Sequence, residues 1–376
     1  MKQRNVLLVI QPAYPERIQG IARFARSHGW HLTIVDRLAR FPRGWRGDGA
    51  LVTLRGNTKT NRFVKELVRD GIPVVDLTFN HPEIRLPRVS GDHEAFGRLA
   101  RQHFESLNFR HFAWFSTGWS HVHELRCSGF APDDRWVLGD LVAADEIDNW
   151  RLFLKVIGGK LQSAPKPLAV LTYDDADAAK VLSAALEAGL RVPEDVAIMG
   201  IGNDTVVCEN QAVPLSSVDH DLERNGYEGA ALLNHLMSTR RALSARHQAL
   251  STKFIPPRGI VIRKSTDTLA ADDPLLSAAL REISKRLPTS FGVAEIADAL
   301  KVPRTRLDRL FAEKFSRSVG KEIVRQRIER AKKLLTSTDK PMKEIAALCG
   351  YCNAGYFTNA FRAETGLTPK AWRRGR

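Results

Sequence analysis

Two groups of side chains have the types and spacing to recognise another molecule. The first lies where apolar runs end. Leu168-Ala-Val-Leu-Thr-Tyr leads into Asp174 and Asp175, and Val196-Ala-Ile-Met-Gly200 leads into Asn203 and Asp204. Carboxylate and amide oxygens accept hydrogen bonds from neighbouring hydroxyls, so these tips suit a polyhydroxylated ligand. Asp175 and Asp204 are equally well placed to cap the helices that follow them. The second group is cationic and amidic. Arg304, Thr305, Arg306 and Arg309 fall on one side of a helical pattern whose other side is Leu307, Leu310 and Phe311. About fifty residues later Ala354, Gly355, Thr358, Asn359 and Arg362 fall opposite Phe357 and Phe361. Arg reaches guanine O6 and N7 in a bidentate fashion, and Asn and Thr contact adenine or thymine edges, so both faces suit the major groove of a duplex.

Catalytic chemistry, the rival reading, finds less support. Adjacent carboxylates such as Asp174 and Asp175 cannot flank a scissile bond from opposite sides. The sequence shows no phosphate-cradling glycine loop, zinc-binding helix or nucleophile elbow. Cys349-x-x-Cys352 is half of a zinc or redox motif with no second pair to complete it. Of the histidines at 81, 93, 103, 111, 121 and 123, only His121-x-His123 has a ligand-like spacing, which an exposed loop explains as well. The expectation is a non-enzyme with no cofactor and no metal.

Charge sharpens the contrast between the two groups. The chain of 376 residues has a formal net charge of +15, and from Leu275 onward 22 Lys and Arg face 10 Asp and Glu. Twelve of the fifteen excess charges therefore sit in the last 102 residues, which points to a polyanionic partner at that end. Apolar residues make up 43%, enough for real cores. The longest apolar runs are strand-sized, far short of the ~20 residues of a membrane span. Four cysteines fit a reducing compartment better than a disulfide framework. With no signal-peptide pattern, the expected location is the cytoplasm, in association with the nucleoid.

The elements that carry these residues follow from periodicity. Strands are expected at Val6–Ile10, Leu32–Val35, Ala50–Leu54, Pro73–Leu77, His111–Phe115, Leu168–Thr172 and Val196–Gly200. Helices are expected near Arg17–Ser27, Asn61–Asp70, Ala176–Ala188 and Leu222–Met237. That alternation implies parallel sheets covered on both faces, in two lobes, with ligands at the carboxyl ends of the strands. The strand signal stops after Gly259-Ile-Val-Ile-Arg263. The reading divides the chain into a sensor at 1–265, a polar linker at 266–274 and an all-α domain at 275–376. In that domain Val293–Leu300 and the helix opened by Pro303 form one helix-turn-helix. Met342–Leu348 and the helix capped by Asn353 and ended by Gly366 form a second. Val319–Thr336 joins them as a rod of roughly 27 Å, close to the ~34 Å between successive major-groove faces on one side of a duplex. Lys321, Arg325, Lys332, Lys333, Lys370, Arg373 and Arg374 are assigned to phosphate.

Two family resemblances overlie this reading. Leu307-x-Arg309-x-Phe311, Ile345-Ala-x-x-Cys-Gly-Tyr351, Tyr356-Phe-x-x-x-Phe361 and Gly366-x-Thr-Pro-x-x-Trp372-Arg373 closely resemble the AraC/XylS-type DNA-binding domain, over about Leu275 to Arg374. Asn353 stands where that family commonly has Ser, and Asn359 where it commonly has Arg or Lys. Gly189-Leu-Arg-Val-Pro-Glu-Asp-Val196, Pro214-Leu-Ser-Ser-Val218 and Pro257-Arg-Gly-Ile-Val-Ile-Arg-Lys-Ser-Thr266 resemble the periplasmic-binding-protein-like effector domain of LacI-type repressors, over about Asn5 to Thr266. The resemblance implies sugar contacts from Arg126, within Arg126-Cys-Ser-Gly-Phe130, and from Asp92. It implies further contacts from the pair Asp174 and Asp175, where the family has Asn-Asp. Gly202 stands where the family has a ligand-contacting Asp, leaving Asn203 or Asp204 to substitute. Arg17, near the end of the first strand, is a further candidate.

The two together imply an α/β two-lobed periplasmic-binding-protein-like sensor with parallel sheets, plus an all-α double helix-turn-helix domain. That pairing resembles the bacterial xylose operon regulators. It implies a homodimeric transcription regulator, most simply an activator, with promoter DNA, RNA polymerase and a small sugar as partners. Xylose comes first among the sugars, with other pentoses and hexoses open because Trp114 to Asp148 is shorter and divergent. A sensor that only dimerises is the alternative.

Overall fold

The computed structural model describes residues 3–11, 13–35, 42, 44–54, 58–118, 120–131, 136–137, 149–239, 252–267, 273–338 and 340–374. They fall into two compact units, Met1–Asp267 and Thr268–Arg376. The expected sensor boundary at 265 lies just inside the first unit. Ser265 and Thr266 are buried there, and Ser265 Oγ donates to Ile198 O at 2.6 Å while accepting from Ser216 N at 2.9 Å.

The N-terminal unit holds two six-stranded sheets. In the first lobe β1 (Arg4–Val9), β2 (Trp30–Ile34), β3 (Gly49–Val52), β4 (Val74–Asp76), β5 (Arg88–Gly91) and β11 (Thr252–Ile255) are ordered β11-β5-β4-β3-β1-β2, all parallel. In the second lobe β6 (His111–Phe115), β7 (Trp136–Val137), β8 (Leu168–Thr172), β9 (Val196–Gly202), β10 (Ser216–Asp219) and β12 (Gly259–Val261) are ordered β12-β10-β9-β8-β6-β7. Only the β10 and β12 pair in that sheet is antiparallel. Central strands such as Leu168-Ala-Val-Leu-Thr172 are buried along their whole length, as a sheet covered on both faces requires.

Helices α1 (Pro15–Ser27), α2 (Thr58–Arg69) and α8 (Leu222–Thr239) belong to the first lobe. The second lobe has α3 (His93–Ser106), α4 (His121–Phe130), α5 (Trp150–Ser163), α6 (Asp175–Glu187) and the short α7 (Thr205–Glu209). The chain crosses between lobes three times. After β5 it enters α3, which packs on α4 and β10; after β10 it enters α8, which packs on α1 and β3; and it runs from β11 to β12. Strands expected from apolar runs lie within two residues of those observed.

The C-terminal unit is helical throughout: α9 (Pro274–Arg286), α10 (Val293–Ala299), α11 (Arg304–Phe315), α12 (Val319–Ser337), α13 (Met342–Leu348), α14 (Ala354–Thr365) and α15 (Pro369–Arg374). Asp273, inside the expected linker, already caps α9, accepting from Leu275 N at 2.7 Å. Pro303 sits one position outside α11, as its N-cap, rather than inside it. Asn353 Oδ1 caps α14 by accepting from Gly355 N at 2.7 Å and Tyr356 N at 3.2 Å. The rod α12 is 19 residues long, or roughly 28 Å. Its Ile328, Ala331 and Leu335 complete a core with Ile345, Cys349, Phe357 and Phe361 of the second helix-turn-helix.

Candidate functional site

Strand tips of the two lobes face each other across a cleft with two adjoining hollows. One is lined by Tyr14, Arg17, Thr78 and Asn80 from the first lobe, by Arg126, Tyr173, Asp174 and Gly202 from the second, and by His93 at the crossing between them. The other adds Glu16, Asp175, Asn203 and Asp204.

Arg126 is buried, and its position follows from an unusually close pairing of α3 and α4. A Cβ on Gly97 would stand 2.2 Å from Arg126 O, and one on Gly129 would stand 2.1 Å from Glu94 O, so only glycine lets these backbones touch. That approach brings Arg126 Nε to 3.2 Å from His93 Nδ1, and its Nη1 donates to Tyr173 O. Its guanidinium lies 4.7 Å from the Tyr173 ring centroid. Burial, reinforced by Arg126 and His220, holds His93 well below the usual imidazole range, so the ring is neutral. Because Nδ1 accepts from Arg126, the ring proton sits on Nε2, 3.2 Å from Ser90 Oγ. Arg17, also buried, donates from Nε to Asn225 Oδ1 at 2.9 Å.

On the first lobe, the tip of β4 is fixed by a buried ion pair. Arg88 Nε lies 3.1 Å from Asp76 Oδ2, and Asp76 Oδ1 accepts from Thr78 N at 3.0 Å and Thr78 Oγ1 at 2.8 Å. Burial raises the Asp76 carboxyl, with Thr78 and Arg88 opposing the rise. The result presents Thr78 and Asn80 to the cleft. Asn80 Oδ1 in turn accepts from Ser120 Oγ of the second lobe at 2.9 Å.

The four acidic candidates separate by role. Asp174 caps α6, accepting from Asp177 N at 2.9 Å, and lines both hollows. Asp204 caps α7, accepting from Val206 N at 3.0 Å and Val207 N at 3.2 Å, and lines the second hollow. Asp175 is committed inward: Ser217 Oγ donates to it at 2.6 Å and Asp204 N at 2.7 Å, and a Cβ on Gly200 would stand 2.2 Å from its Oδ1. It ties β8, β9 and β10 together, and burial pushes it up to about 6. Asp92 caps α3 by accepting from Ala95 N at 3.0 Å, at the first crossing between lobes, and lines neither hollow. The cleft thus gathers Arg17, Arg126, Asp174, Asp175 and Asp204 but leaves Asp92 at its hinge. Tyr14, Thr78, Asn80, His93, Tyr173 and His220 were not singled out from the sequence. His93 and His220 follow the carboxyl ends of β5 and β10, and Thr78 and Asn80 that of β4, where the strand-tip rule points.

In the C-terminal unit Arg304, Thr305, Arg306 and Arg309 are exposed on α11. Arg304 pairs with Asp308 and Arg309 with Glu313, each at 3.3 Å and four residues along the helix. Among the described residues Arg306 makes no ion pair. On α14, Gly355, Asn359 and Arg362 are exposed, whereas Ala354 and Thr358 are half-buried and the Thr358 hydroxyl donates back to Ala354 O at 2.8 Å. Tyr356, not singled out from the sequence, is 65% exposed near the start of the same helix. Several phosphate candidates are engaged elsewhere. Arg325 pairs with buried Glu322 at 2.9 Å, Arg373 Nη2 donates to Lys340 O at 2.7 Å, and Lys332 pairs with Glu329 at 2.6 Å and lies 5.2 Å from the Trp372 ring centroid. Lys321 and Lys370 remain exposed, and the side chains of Lys333 and Arg374 lie outside the described residues.

Cys349 is buried, with burial pushing its thiol up to about 11, and Cys352 is exposed. His123 stacks on Tyr173 with ring centroids 3.8 Å apart, and His121 lies 3.4 Å from Glu124. Among the described residues no group of three or more His, Cys, Asp and Glu is placed to hold a metal ion. No described helix is long and apolar enough to cross a membrane.

A periplasmic binding protein-like domain model matches residues 102–266, and a helix-turn-helix domain model matches 296–375. A hinged cleft and two groove-sized helices in one chain define a DNA-binding transcription regulator with an effector domain. The chain is similar to the xylose operon regulatory proteins of other bacteria. It is 25% identical to the xylose operon regulatory protein of Escherichia coli strain K12, over 98% of this chain and 96% of that one. It is 32% identical to that of Haemophilus influenzae, over 57% of this chain and 54% of the relative. The solved structure of a xylose-binding transcription activator shares the fold, with a TM-score of 0.66 and 21% identity, over 100% of this chain and 99% of that one. Such relatives are transcription regulators rather than enzymes.

Proposed function

We propose that the chain activates genes of sugar catabolism when a monosaccharide occupies the cleft, with xylose the first candidate. The observation that carries this reading is the facing of Arg126, Tyr173 and Asp174 from one lobe with Arg17, Thr78 and Asn80 from the other, with His93 at the crossing between them. Guanidinium donors and a carboxylate together match the alternating hydroxyls of a small sugar, the neutral His93 ring orients Arg126 beside them, and the Tyr14 ring offers an apolar face to its C–H edges. The names of the relatives supply the choice of xylose.

A sugar that touches both lobes favours the closed arrangement and shifts the equilibrium by its differential affinity alone. Closure would change how a homodimer presents its helix-turn-helix units to promoter half-sites, and the bound dimer would recruit RNA polymerase in the cytoplasm. Thermal unfolding with a panel of pentoses and hexoses tests the sensing step. A ligand at a hundredfold its Kd stabilises the folded state by about 2.7 kcal/mol, so a true effector raises the midpoint. A panel in which no sugar moves the midpoint, with sugar-independent DNA binding, would leave the N-terminal unit with dimerisation alone.

A further inference from the structure

The rod α12 sends arginines to both helix-turn-helix units. Arg330 Nε donates to Leu348 O, at the end of α13, at 3.0 Å. Arg327, only 9% exposed, reaches the other way. Its Nη2 donates to Thr289 O and Phe291 O, both at 3.2 Å, in the segment that leads into α10. The same guanidinium lies 4.8 Å from the Phe291 ring centroid and 5.5 Å from that of Tyr351, which belongs to the turn of the second unit. Beneath it the two units touch through backbone. A Cβ on Gly350 would stand 2.3 Å from Thr289 O, 2.8 Å from Leu287 O and 3.1 Å from Arg327 Nε.

We propose that Arg327 is a positioning residue that locks the two helix-turn-helix units at one separation, so that the chain accepts two groove sub-sites at a single spacing. Cohesion alone does not account for it. Among the described residues, Arg327 Nε and the Tyr351 hydroxyl are buried without a hydrogen-bond partner, and an apolar side chain of similar volume would hold a core as well. What a guanidinium adds is direction. Two carbonyls and two rings fix its plane, and with it the angle between the turn before α10 and the turn before α14. The lock rests on the DNA-reading role of the two units, and the test separates the two claims.

Nitroxide labels at Ala312→Cys on α11 and Ala363→Cys on α14, both exposed positions, in a full-length Cys352→Ser background, report the separation without DNA. One narrow distance peak is expected, at least doubled in width by Arg327→Ala and partly restored by Arg327→Lys, with helix content checked by circular dichroism. Selection of duplexes from a random library by the full chain then reads the consequence. The unaltered protein should return two sequence blocks at one spacing, and Arg327→Ala the same blocks at several. An unchanged peak width in both variants would overturn the lock. A chain that selects no sequence at all would defeat the DNA reading, with the label distances still deciding the lock. Should Arg327→Ala lose helix content, Arg327→Lys and Arg327→Gln carry the comparison, and a peak as narrow as the original in both would equally overturn it.

Discussion

The two helix-turn-helix units share a plan displaced by about fifty residues, yet packing and charge divide them. Lys301 and Gly350 occupy the same turn position, both left-handed, with φ of 54° and 75°. Lys301 is exposed and tolerates the conformation at modest cost, whereas Gly350 is pressed against carbonyls of another segment and has no room for a side chain. Pro303 and Asn353 occupy the same cap position, but only Asn353 supplies a side-chain acceptor. The exposed surfaces of α11 and α14 differ in the opposite sense. Three exposed arginines crowd α11, while α14 offers Gly355, Asn359, Arg362 and an exposed tyrosine. The second unit is anchored by packing and exposes a mixed surface with a single arginine among these positions. The first is less constrained and carries most of the charge.

The comparison can be broken at several points, the largest effect first. Gly350→Ala adds both a clash and a strained backbone, and should lower unfolding free energy by more than about 2 kcal/mol in urea titration. Lys301→Gly should instead be neutral or stabilising by no more than about 1 kcal/mol. Equal effects at the two turns would erase the distinction. In DNA binding, Arg306→Ala should cost about 1–3 kcal/mol and relax preference at one base pair. Arg309→Ala should cost less, because Arg309 must first leave Glu313, a pair worth about 0.3–0.5 kcal/mol. A greater loss from Arg362→Ala than from Arg306→Ala would reverse the assignment of charge reading to the first unit. Asn353→Ala should destabilise by about 1 kcal/mol, and Pro303→Ser should gain up to a similar amount, since α11, unlike α14, lacks a side-chain cap. Smallest of all, Lys370→Ala should flatten the logarithmic salt dependence of DNA binding by about 1, whereas Lys332→Ala, already held by Glu329 and Trp372, should leave that slope unchanged.

Much of this was legible from the sequence because it depends on local periodicity. Buried parallel strands announce themselves as short apolar runs, and His111–Phe115 and Leu168–Thr172 were bounded to the residue. The amphipathic helices of the C-terminal unit, the Asn353 cap and the Gly366 stop are likewise set by neighbours in sequence. What stayed hidden depends on pairs remote along the chain. Arg88–Gly91 reads as polar, and it is a buried strand only because Asp76 neutralises Arg88 inside the lobe. Asp175 looks like a ligand group until Ser217, forty-two residues away, is seen to occupy it. His93 and Arg126 meet only because α3 and α4 approach at two glycines. A count of exposed cations along α12 likewise could not show that Arg325 answers a carboxylate buried beneath it.

The inward commitment of Asp175 gives the effector unit a proton inventory of its own. Burial lifts this carboxyl from 3.8 to about 6, so between those values the folded lobe retains a proton that the unfolded chain releases. The associated stability is fully present below about pH 4 and drains away as pH rises through 6, by on the order of 2 to 3 kcal/mol. Asp175→Asn, which cannot ionise, should flatten that part of a melting-temperature profile taken across mildly acidic buffers. The hold of Asp175 on β8, β9 and β10 should therefore be firmer in mildly acidic buffer than at neutral pH.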